Sequence, residues 1–229
     1  MNKKKIILTG SEGVIGKSLS SDFSVMDDVE IICIDKDLGF DLTNEEQVIE
    51  IMKENSDAEY IVNLFAINDH IEEGKNNPSI FDISLDSLRT YCEVNLIALF
   101  SVCRAFIKYV NKPKSILNFS SLYGVRSPKK FIYDGTEKHV GYTMTKHGVI
   151  GLTKHLAIHL SPTRINCLVP GGILHTQDRK FIKKYSKNVP LGRMMNVSEI
   201  TGIVNLLCSD KSSYITGATI PIDGGWTAW

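Results

Sequence analysis

Several features that mark specialised protein classes are scarce in this 229-residue sequence. Its 26 lysines and arginines are balanced by 26 aspartates and glutamates, so no overall basic field favours nucleic acid as a partner. No uninterrupted apolar run approaches the roughly 20 residues that span a membrane, and Ile6–Leu8 is too short for the core of a signal peptide. The five cysteines are scattered without a C-x-x-C pair, which predicts free thiols in a reducing compartment. We therefore expect a cytoplasmic protein without a metal site, a nucleic-acid partner or a membrane contact.

Strands and helices are predicted to alternate along the whole chain. Hydrophobic residues make up 43% and charged residues 23% of the sequence, which suits one large soluble domain over residues 1–229. Clear examples are a strand at Lys5–Thr9, a helix at Val140–Leu160 and a strand at Arg164–Val169. The strand Glu30–Asp35 is apolar on both faces, as in parallel sheets that helices cover on both sides. The pattern predicts an α/β fold with a doubly wound parallel sheet.

One connection is unusually short. Asp35 ends the second predicted strand, and Phe40–Leu42 resembles a further short strand. Only five residues separate Asp35 from Asp41, whereas a parallel crossover needs about a dozen residues or more. The helix that normally connects two such strands is therefore expected to be missing here.

A glycine-rich loop follows the first strand. Glycines at such a place permit a tight turn and a close approach of the backbone to a pyrophosphate, and the next helix directs its N-terminus at that group. Asp35 lies 19 residues after Gly16, near the ~20 expected for an acid that binds the adenosine ribose. The loop residues expected to contact a dinucleotide are Gly10, Glu12, Gly13, Val14, Ile15 and Gly16.

The same acid indicates which dinucleotide is used. A carboxylate at Asp35 would repel the 2′-phosphate of NADP by about 4 kcal/mol at ~4 Å and an effective dielectric constant of ~20. NAD is therefore the expected cofactor and NADP the less favoured one. Lys36 is a further expected cofactor contact. Its positive charge, like that of Lys17, would offset the negative charge of a 2′-phosphate and so weakens this preference.

Tyr142 and Lys146 lie four residues apart on a predicted helix, so their side chains share one face. A tyrosine titrates near 10, and a cation one turn away is expected to lower that pKa. Such a pair can exchange a proton with a carbonyl or alcohol oxygen while a nicotinamide handles the hydride. Ser121 follows the preceding strand, at the carboxyl edge where ligands bind, and its hydroxyl can hold the reacting oxygen. Ser120 is a rival for this role, which the S-x-x-G register assigns to Ser121.

Together these motifs resemble the short-chain dehydrogenase/reductase superfamily, of the classical type, over nearly the whole chain. The C-terminal segments Pro190–Arg193, Ser213–Gly217 and Asp223–Gly225 are similar to its closing signature. The resemblance implies a Rossmann-like sheet of strand order 3-2-1-4-5-6-7. It also implies a homotetramer or a homodimer.

The resemblance further implies a catalytic tetrad of Asn95, Ser121, Tyr142 and Lys146. Tyr142 would be the general acid/base, Lys146 would tune it and hold the ribose, and Asn95 would complete a proton relay. Further cofactor contacts are implied at Asp41, Leu42, Asn63, Phe65, Ala66, Tyr142, Lys146, Pro170, Gly171, Gly172 and Ile173. Substrate contacts are implied at Ser121, Tyr123, Tyr142 and His175.

Two segments depart from the family pattern or vary within it. Ser121 and Tyr142 are 21 residues apart, more than is usual, so an extra loop at 126–139 is expected beside the active site. The family's substrate lid would cover about residues 174–196. Both segments are rich in lysine and arginine, and basic residues at a cleft concentrate anions. We therefore hypothesise an anionic, sugar-type substrate, with a solvated lysine-rich helix face as the alternative.

The sequence thus predicts an NAD(P)-dependent oxidoreductase that transfers a hydride between nicotinamide and a carbonyl or secondary alcohol. A catalytically silent dinucleotide-binding sensor or scaffold is an alternative, because little beside Asn63 remains of the family pattern at 61–66. A sugar-nucleotide epimerase or dehydratase is another alternative, since the position of Gly13 resembles the glycine loop of that branch. Only 59 residues follow Pro170, few for the substrate domain of such an enzyme.

Overall fold

Six parallel strands form one sheet in the computed structural model, which describes residues 3–69, 79–133 and 137–228. The sheet order is β2-β1-β3-β4-β5-β6, and each pairing of neighbours is parallel. The strands are β1 Lys4–Thr9, β2 Val29–Ile34, β3 Tyr60–Asn63, β4 Ser115–Phe119, β5 Arg164–Pro170 and β6 Thr219–Ile222.

Helices cover both faces of this sheet, as predicted. Val48, Phe106 and Leu156 pack on one face, and Leu19 and Val204 pack on the other. A continuous helix runs over Leu85–Tyr109 and contains a π-helical segment at Glu93–Ile97. The α-helices in the described ranges are α1 Val14–Ser24, α2 Glu45–Glu54, α3 Leu85–Cys92, α4 Ala98–Tyr109, α5 Val140–His159, α6 Arg179–Ser186 and α7 Thr201–Leu207.

The predicted strand at Phe40–Leu42 does not form. After β2 the chain enters a 3-10 turn, in which the Asp35 carboxylate accepts a hydrogen bond from the Asp37 backbone N–H. The N–H of Phe40 then donates to the Asp35 carbonyl at 3.1 Å, so the segment folds back on the end of β2. Helix α2 is the crossover to β3. The observed order β2-β1-β3-β4-β5-β6 therefore corresponds to the expected order 3-2-1-4-5-6-7 without the outermost strand, which that order numbers 3. Two elements are therefore missing here: the helix whose absence was expected, and the strand that such a helix would have led to.

One helix among the described residues, Leu85–Tyr109, is long and apolar enough to cross a membrane by length and composition. Its second half buries Val102, Cys103 and Phe106 completely. These side chains belong to the hydrophobic cluster that includes Ile61 and Ile116 of the sheet. The apolar character of this helix therefore serves packing against the sheet.

Candidate active site

A cleft of about 760 Å³ opens at the carboxyl ends of the strands. In a parallel sheet these ends meet at one edge, where ligands of such folds bind. The segments that follow four strands contribute to its walls. They are Gly10–Gly16 after β1, Leu64 and Ala66 after β3, Ser120–Tyr123 after β4, and Gly171–Ile173 after β5.

A second cavity of about 420 Å³ continues the cleft toward the end of β2. The two cavities share Gly10, Gly13, Leu64 and Ala66 in their walls, so they form one groove. This second part, called the adenosine end below, is lined by charged and apolar groups of the glycine loop and of the segment that follows β2. They are Glu12, Asp35, Lys36, Asp37, Phe40, Asp41, Leu42 and Thr43, with Phe65, Ile67 and Val94 opposite.

The glycine loop packs tightly against its own backbone and against the segment after β3. Gly10 has φ +74°, and a Cβ there would lie 2.5 Å from the Phe65 nitrogen. A Cβ on Gly16 would lie 2.4 Å from the Gly10 carbonyl oxygen, so the turn closes only with glycine at both places. Gly13 precedes α1 and offers no side-chain cap, which leaves the first N–H groups of the helix for another acceptor. This cradle suits the pyrophosphate of a dinucleotide.

Asp35 is held in place at the adenosine end. The residue is 9% exposed, and its carboxylate accepts backbone N–H bonds from Glu12 at 3.0 Å and Asp37 at 3.1 Å. Each oxygen keeps further acceptor capacity. The carboxylate is therefore pre-oriented to accept hydrogen bonds from ribose hydroxyls.

Tyr142 and Lys146 share one face of α5 and line the cleft. The Lys146 ammonium donates to the Phe119 carbonyl at 2.9 Å and lies 5.7 Å from the centroid of the Tyr142 ring. Burial lowers the pKa of Lys146 to about 8. Burial also raises the pKa of Tyr142, and hydrogen bonding with the Ser121 hydroxyl only partly opposes this. The expectation that the pKa of Tyr142 lies below its ordinary value is wrong for this arrangement, because burial disfavours the charged phenolate.

The two neighbouring serines have different surroundings. The Ser120 hydroxyl donates to the backbone carbonyl of Lys146 at 2.7 Å and so fixes the end of β4 against α5. The Ser121 hydroxyl accepts from the Tyr123 N–H at 3.1 Å and interacts with Tyr142. Ser121 is therefore the serine that can share a substrate oxygen with Tyr142.

Asn95 is buried inside the π-helical segment and does not line the cleft. Its amide accepts from the Ile67 N–H at 2.9 Å and donates to the Ile67 carbonyl and to the Thr145 hydroxyl. These bonds connect the segment after β3 with the helix that carries Tyr142. They give Asn95 a positioning role, and its participation in a proton relay stays a prediction. π-helical turns are often found at functional sites.

Asn63 also lies away from the groove. It is 3% exposed, donates to the Asn118 amide oxygen at 2.9 Å and accepts from the Thr9 hydroxyl at 3.0 Å. The side chain therefore joins β1, β3 and β4 inside the sheet, and it is not among the lining residues. The other predicted cofactor contacts line the groove: Gly10, Glu12, Gly13, Val14, Ile15, Gly16, Asp35, Lys36, Asp41, Leu42, Phe65, Ala66, Tyr142, Lys146, Pro170, Gly171, Gly172 and Ile173.

The substrate side of the cleft has aromatic walls that sequence reasoning missed. The predicted substrate contacts Ser121, Tyr123, Tyr142 and His175 are all present. Beside them the extra loop and the predicted lid segment supply further lining. These residues are Ile132, Tyr133 and Lys138 from the loop, and Gln177, Asp178, Phe181, Tyr185 and Met194 from the lid segment.

Most of the predicted basic residues face away from the cleft. Lys130 pairs with Glu137 at 2.7 Å, and Lys129 donates to the Asn188 amide oxygen and lies over the Trp226 ring. Of the lysines and arginines in the loop and lid segments, Lys138 alone is among the cleft-lining residues described. The lysine-rich helix α6 therefore fits the alternative of a solvated face.

The comparisons with known proteins agree with this geometry. The sequence profile of the family described as "Enoyl-(Acyl carrier protein) reductase" matches residues 28–227. A 3-oxoacyl-(acyl-carrier-protein) reductase from Chlamydia trachomatis is 30% identical over 98% of this chain and 97% of its own length. A 3-alpha-(or 20-beta)-hydroxysteroid dehydrogenase from Mycobacterium tuberculosis is 35% identical over 67% of this chain and 57% of its own length.

The chain spans only part of some other curated relatives. It covers 43% of an uncharacterized short-chain type dehydrogenase/reductase from Sinorhizobium fredii at 28% identity, over 96% of this chain. Among solved structures, a short-chain dehydrogenase from Leptospira borgpetersenii with bound NAD+ is 29% identical and superposes with a TM-score of 0.86, covering 99% of this chain and 94% of that one. The family profile, the relatives and the sheet with its cleft agree, and the chain belongs to the short-chain dehydrogenase/reductase superfamily of NAD(P)-dependent oxidoreductases.

Proposed function

We propose that this protein transfers a hydride between a nicotinamide dinucleotide and the carbonyl or secondary alcohol carbon of a small molecule. The observation that carries the proposal is the shared lining of one cleft. Ser121, Tyr142 and Lys146 lie in the same cavity as the glycine loop between Gly10 and Gly16. A cofactor bound along the groove would therefore bring its reactive end to the tyrosine.

The protein's own residues would handle the proton. When bound, the nicotinamide supplies or accepts the hydride. The raised pKa of Tyr142 keeps its phenol protonated at neutral pH, so the phenol suits the role of acid toward a carbonyl oxygen. Ser121 would hold the same oxygen through its hydroxyl.

NAD is the proposed cofactor in preference to NADP. The adenosine end carries the carboxylates of Glu12, Asp35, Asp37 and Asp41 and a single lysine, Lys36. Lys17 lies 3.3 Å from the Glu12 carboxylate and is not among the lining residues. A 2′-phosphate would therefore meet an excess of negative charge.

The sugar-type and strongly anionic substrate hypothesised from the sequence receives less support. The aromatic walls at Tyr123, Tyr133 and Phe181 favour a partly apolar substrate, and Lys138 is the remaining basic group there besides Lys146 and His175. A homotetramer or a homodimer and a cytoplasmic location stay predictions.

Replacement of Tyr142 by phenylalanine tests the proposal. NADH binding is followed by nicotinamide fluorescence, and NADH oxidation is measured with a panel of ketones and oxo acids. Tyr142→Phe should lower kcat by about 10²–10⁴-fold, because it removes the general acid, while NADH binding persists. His147→Ala removes an exposed side chain from the same helix and should leave both unchanged. Unaltered turnover in Tyr142→Phe, or absence of NADH binding to the wild type, would contradict the proposal.

A further inference from the structure

Lys138 is a second lysine beside the candidate acid, supplied by the extra loop. Its ammonium lies over the Tyr142 ring, 5.8 Å from the centroid, and donates to the Asn68 amide oxygen at 3.0 Å. Asn68 and Lys138 both line the cleft. The lysine is partly buried, and burial lowers its pKa to about 8. Its charge is therefore placed at the reaction site at a desolvation cost that an exposed lysine avoids.

The described contacts of this ammonium leave its charge incompletely matched. The oxygen of Asn68 is neutral, and Asp69 acts on Lys138 through its charge without a hydrogen bond among the described contacts. An ammonium carries three donors, and a buried charge is normally paired. An anionic group of a substrate would complete the pairing.

We propose that Lys138 is a specificity-determining residue that binds the carboxylate of an oxo acid or hydroxy acid, with the reacting carbon only one or two bonds from that carboxylate. This inference rests on the proposed function. Hydrogen bonds of about 2.8 Å to the phenol at one end and to the ammonium at the other can bridge the space between Tyr142 and Lys138 with such a short molecule.

The charges on the substrate side favour a single carboxylate over a phosphate dianion. Asp178 also lines this part of the cleft, and its carboxylate is held there by N–H bonds from Lys180 and Phe181. The Lys146 ammonium donates a hydrogen bond to the Phe119 carbonyl. The ammonium of Lys138 can offset the charge of one substrate carboxylate, whereas a dianion would leave a second negative charge uncompensated near Asp178.

The rest of the substrate would contact aromatic side chains. Tyr123 and Tyr133 hydrogen-bond each other through their hydroxyls, and the ring of Phe181 packs edge-on against Tyr133 at 5.6 Å between centroids. With their polar ends joined, these rings present mainly apolar surface. The structure therefore favours oxo acids that carry an apolar substituent.

The test compares 2-oxo and 3-oxo acids carrying apolar substituents with the corresponding primary amides, which keep the shape and lose the charge. The wild type should prefer the acids in kcat/KM. Lys138→Met should lower kcat/KM for the acids by about 10- to 100-fold, the usual value of a charged hydrogen bond, and leave the amides unchanged. Lys138→Arg should retain most of the preference. Lys130→Met, from the same loop but outside the cleft, should behave like the wild type.

Binding gives a readout that does not depend on turnover. Propionate and propionamide are titrated calorimetrically into the wild type and Lys138→Met, with and without NADH. Tighter binding of propionate that disappears in Lys138→Met supports the inference. Equal losses for acids and amides, or no preference for the acid in the wild type, would overturn it. Failure of the wild type to bind NADH would instead remove the proposed function, while the titration without NADH still decides whether Lys138 binds a carboxylate.

Discussion

At the residue scale, Asp35 shows how the backbone can fix the position of a carboxylate. Its carboxylate accepts N–H bonds from both the glycine loop and the turn after β2, so its position is set by the backbone on two sides. A side chain held in this way needs no reorganisation to bind a ribose. The same rigidity prevents it from moving away from a 2′-phosphate.

Replacement of Asp35 by serine should change the cofactor preference. We expect NADH affinity to fall by about 10-fold or more, because a charged hydrogen bond to the ribose is lost, and NADPH affinity to rise because the repulsion is removed. Fluorescence titrations of both cofactors measure the ratio. Asp27→Ser, from the loop before β2 and outside the groove, is the control. An unchanged ratio would show that Asp35 does not contact the ribose.

The predicted site residues that lie together in the cleft come from contiguous motifs. Ser121, Tyr142 and Lys146 meet in the cleft because the spacing within α5 and the register after β4 are local properties. The amides of Asn63 and Asn95, predicted at the cofactor and in the relay, lie outside the cleft lining and bond to Asn118, Thr9, Ile67 and Thr145. Those partners come from other elements, so no local pattern indicated them. Phe181 and Tyr185 were not predicted as cleft residues for the same reason, whereas Lys138 belongs to the basic loop that was expected beside the site.

At the element scale, helix α5 is oriented by the residue that precedes it. The His139 ring stacks on Tyr91 with centroids 4.4 Å apart, and its Nδ1 accepts from the Gly141 N–H at 3.0 Å. Its Nε2 then contacts the Ser87 hydroxyl at 2.9 Å, as the donor. The ring therefore caps α5 in the neutral form and ties it to α3. Burial lowers the pKa of His139, which favours this form.

Loss of this cap should lower stability in a pH-dependent way. The unfolded state takes up a proton near the ordinary histidine pKa of 6.5, while the folded state resists protonation, so the contribution of His139 is present above that pH and is lost as the pH falls below it. His139→Ala should reduce the free energy of unfolding at neutral pH by about 1 kcal/mol, and His139→Asn by less. Urea unfolding between pH 5 and pH 8 measures both. Identical acid sensitivity in wild type and His139→Asn would contradict this role.

Element boundaries were predicted well where the sequence contains residues that end a helix or a strand. The helix expected at Val140–Leu160 is found at Val140–His159, and Pro170 ends β5 as expected. The segment Phe40–Leu42 was interpreted as a strand from two apolar residues around an aspartate, but strand formation depends on pairing, which three residues cannot specify. The π-helical segment was not predicted, because the same residue types occur in α-helices.

At the scale of the whole molecule, two lysines with lowered pKa values reduce stability at neutral pH. Both Lys138 and Lys146 have pKa values lowered to about 8 by burial, against an ordinary value of 10.5. Between pH values of about 8 and 10.5, these two lysines bind more protons in the unfolded chain than in the folded chain. The free energy of unfolding contributed by these groups therefore rises as the pH increases from about 8 toward 10.5.

Lys146→Met should flatten this rise in stability. We expect the wild type to become more resistant to urea as the pH is raised through this window, and the variant to lose part of that gain because one titrating group is removed. Lys154→Met, which removes an exposed lysine from the same helix, should retain the gain. A variant with the same pH dependence as the wild type would show that Lys146 carries its full charge in the folded protein.

The open edge of β6 has a consequence for solubility. Strand β5 bonds to Ala218 and Ile222 of this segment, since Cys167 and Gly171 donate their N–H groups to those carbonyls. The intervening Pro221 therefore faces away from β5, toward the outer edge, and it is exposed. Proline has no N–H, so a strand from another molecule would lack a donor at the middle of this short edge. The sheet thereby resists edge-to-edge aggregation at β6 through one imino acid.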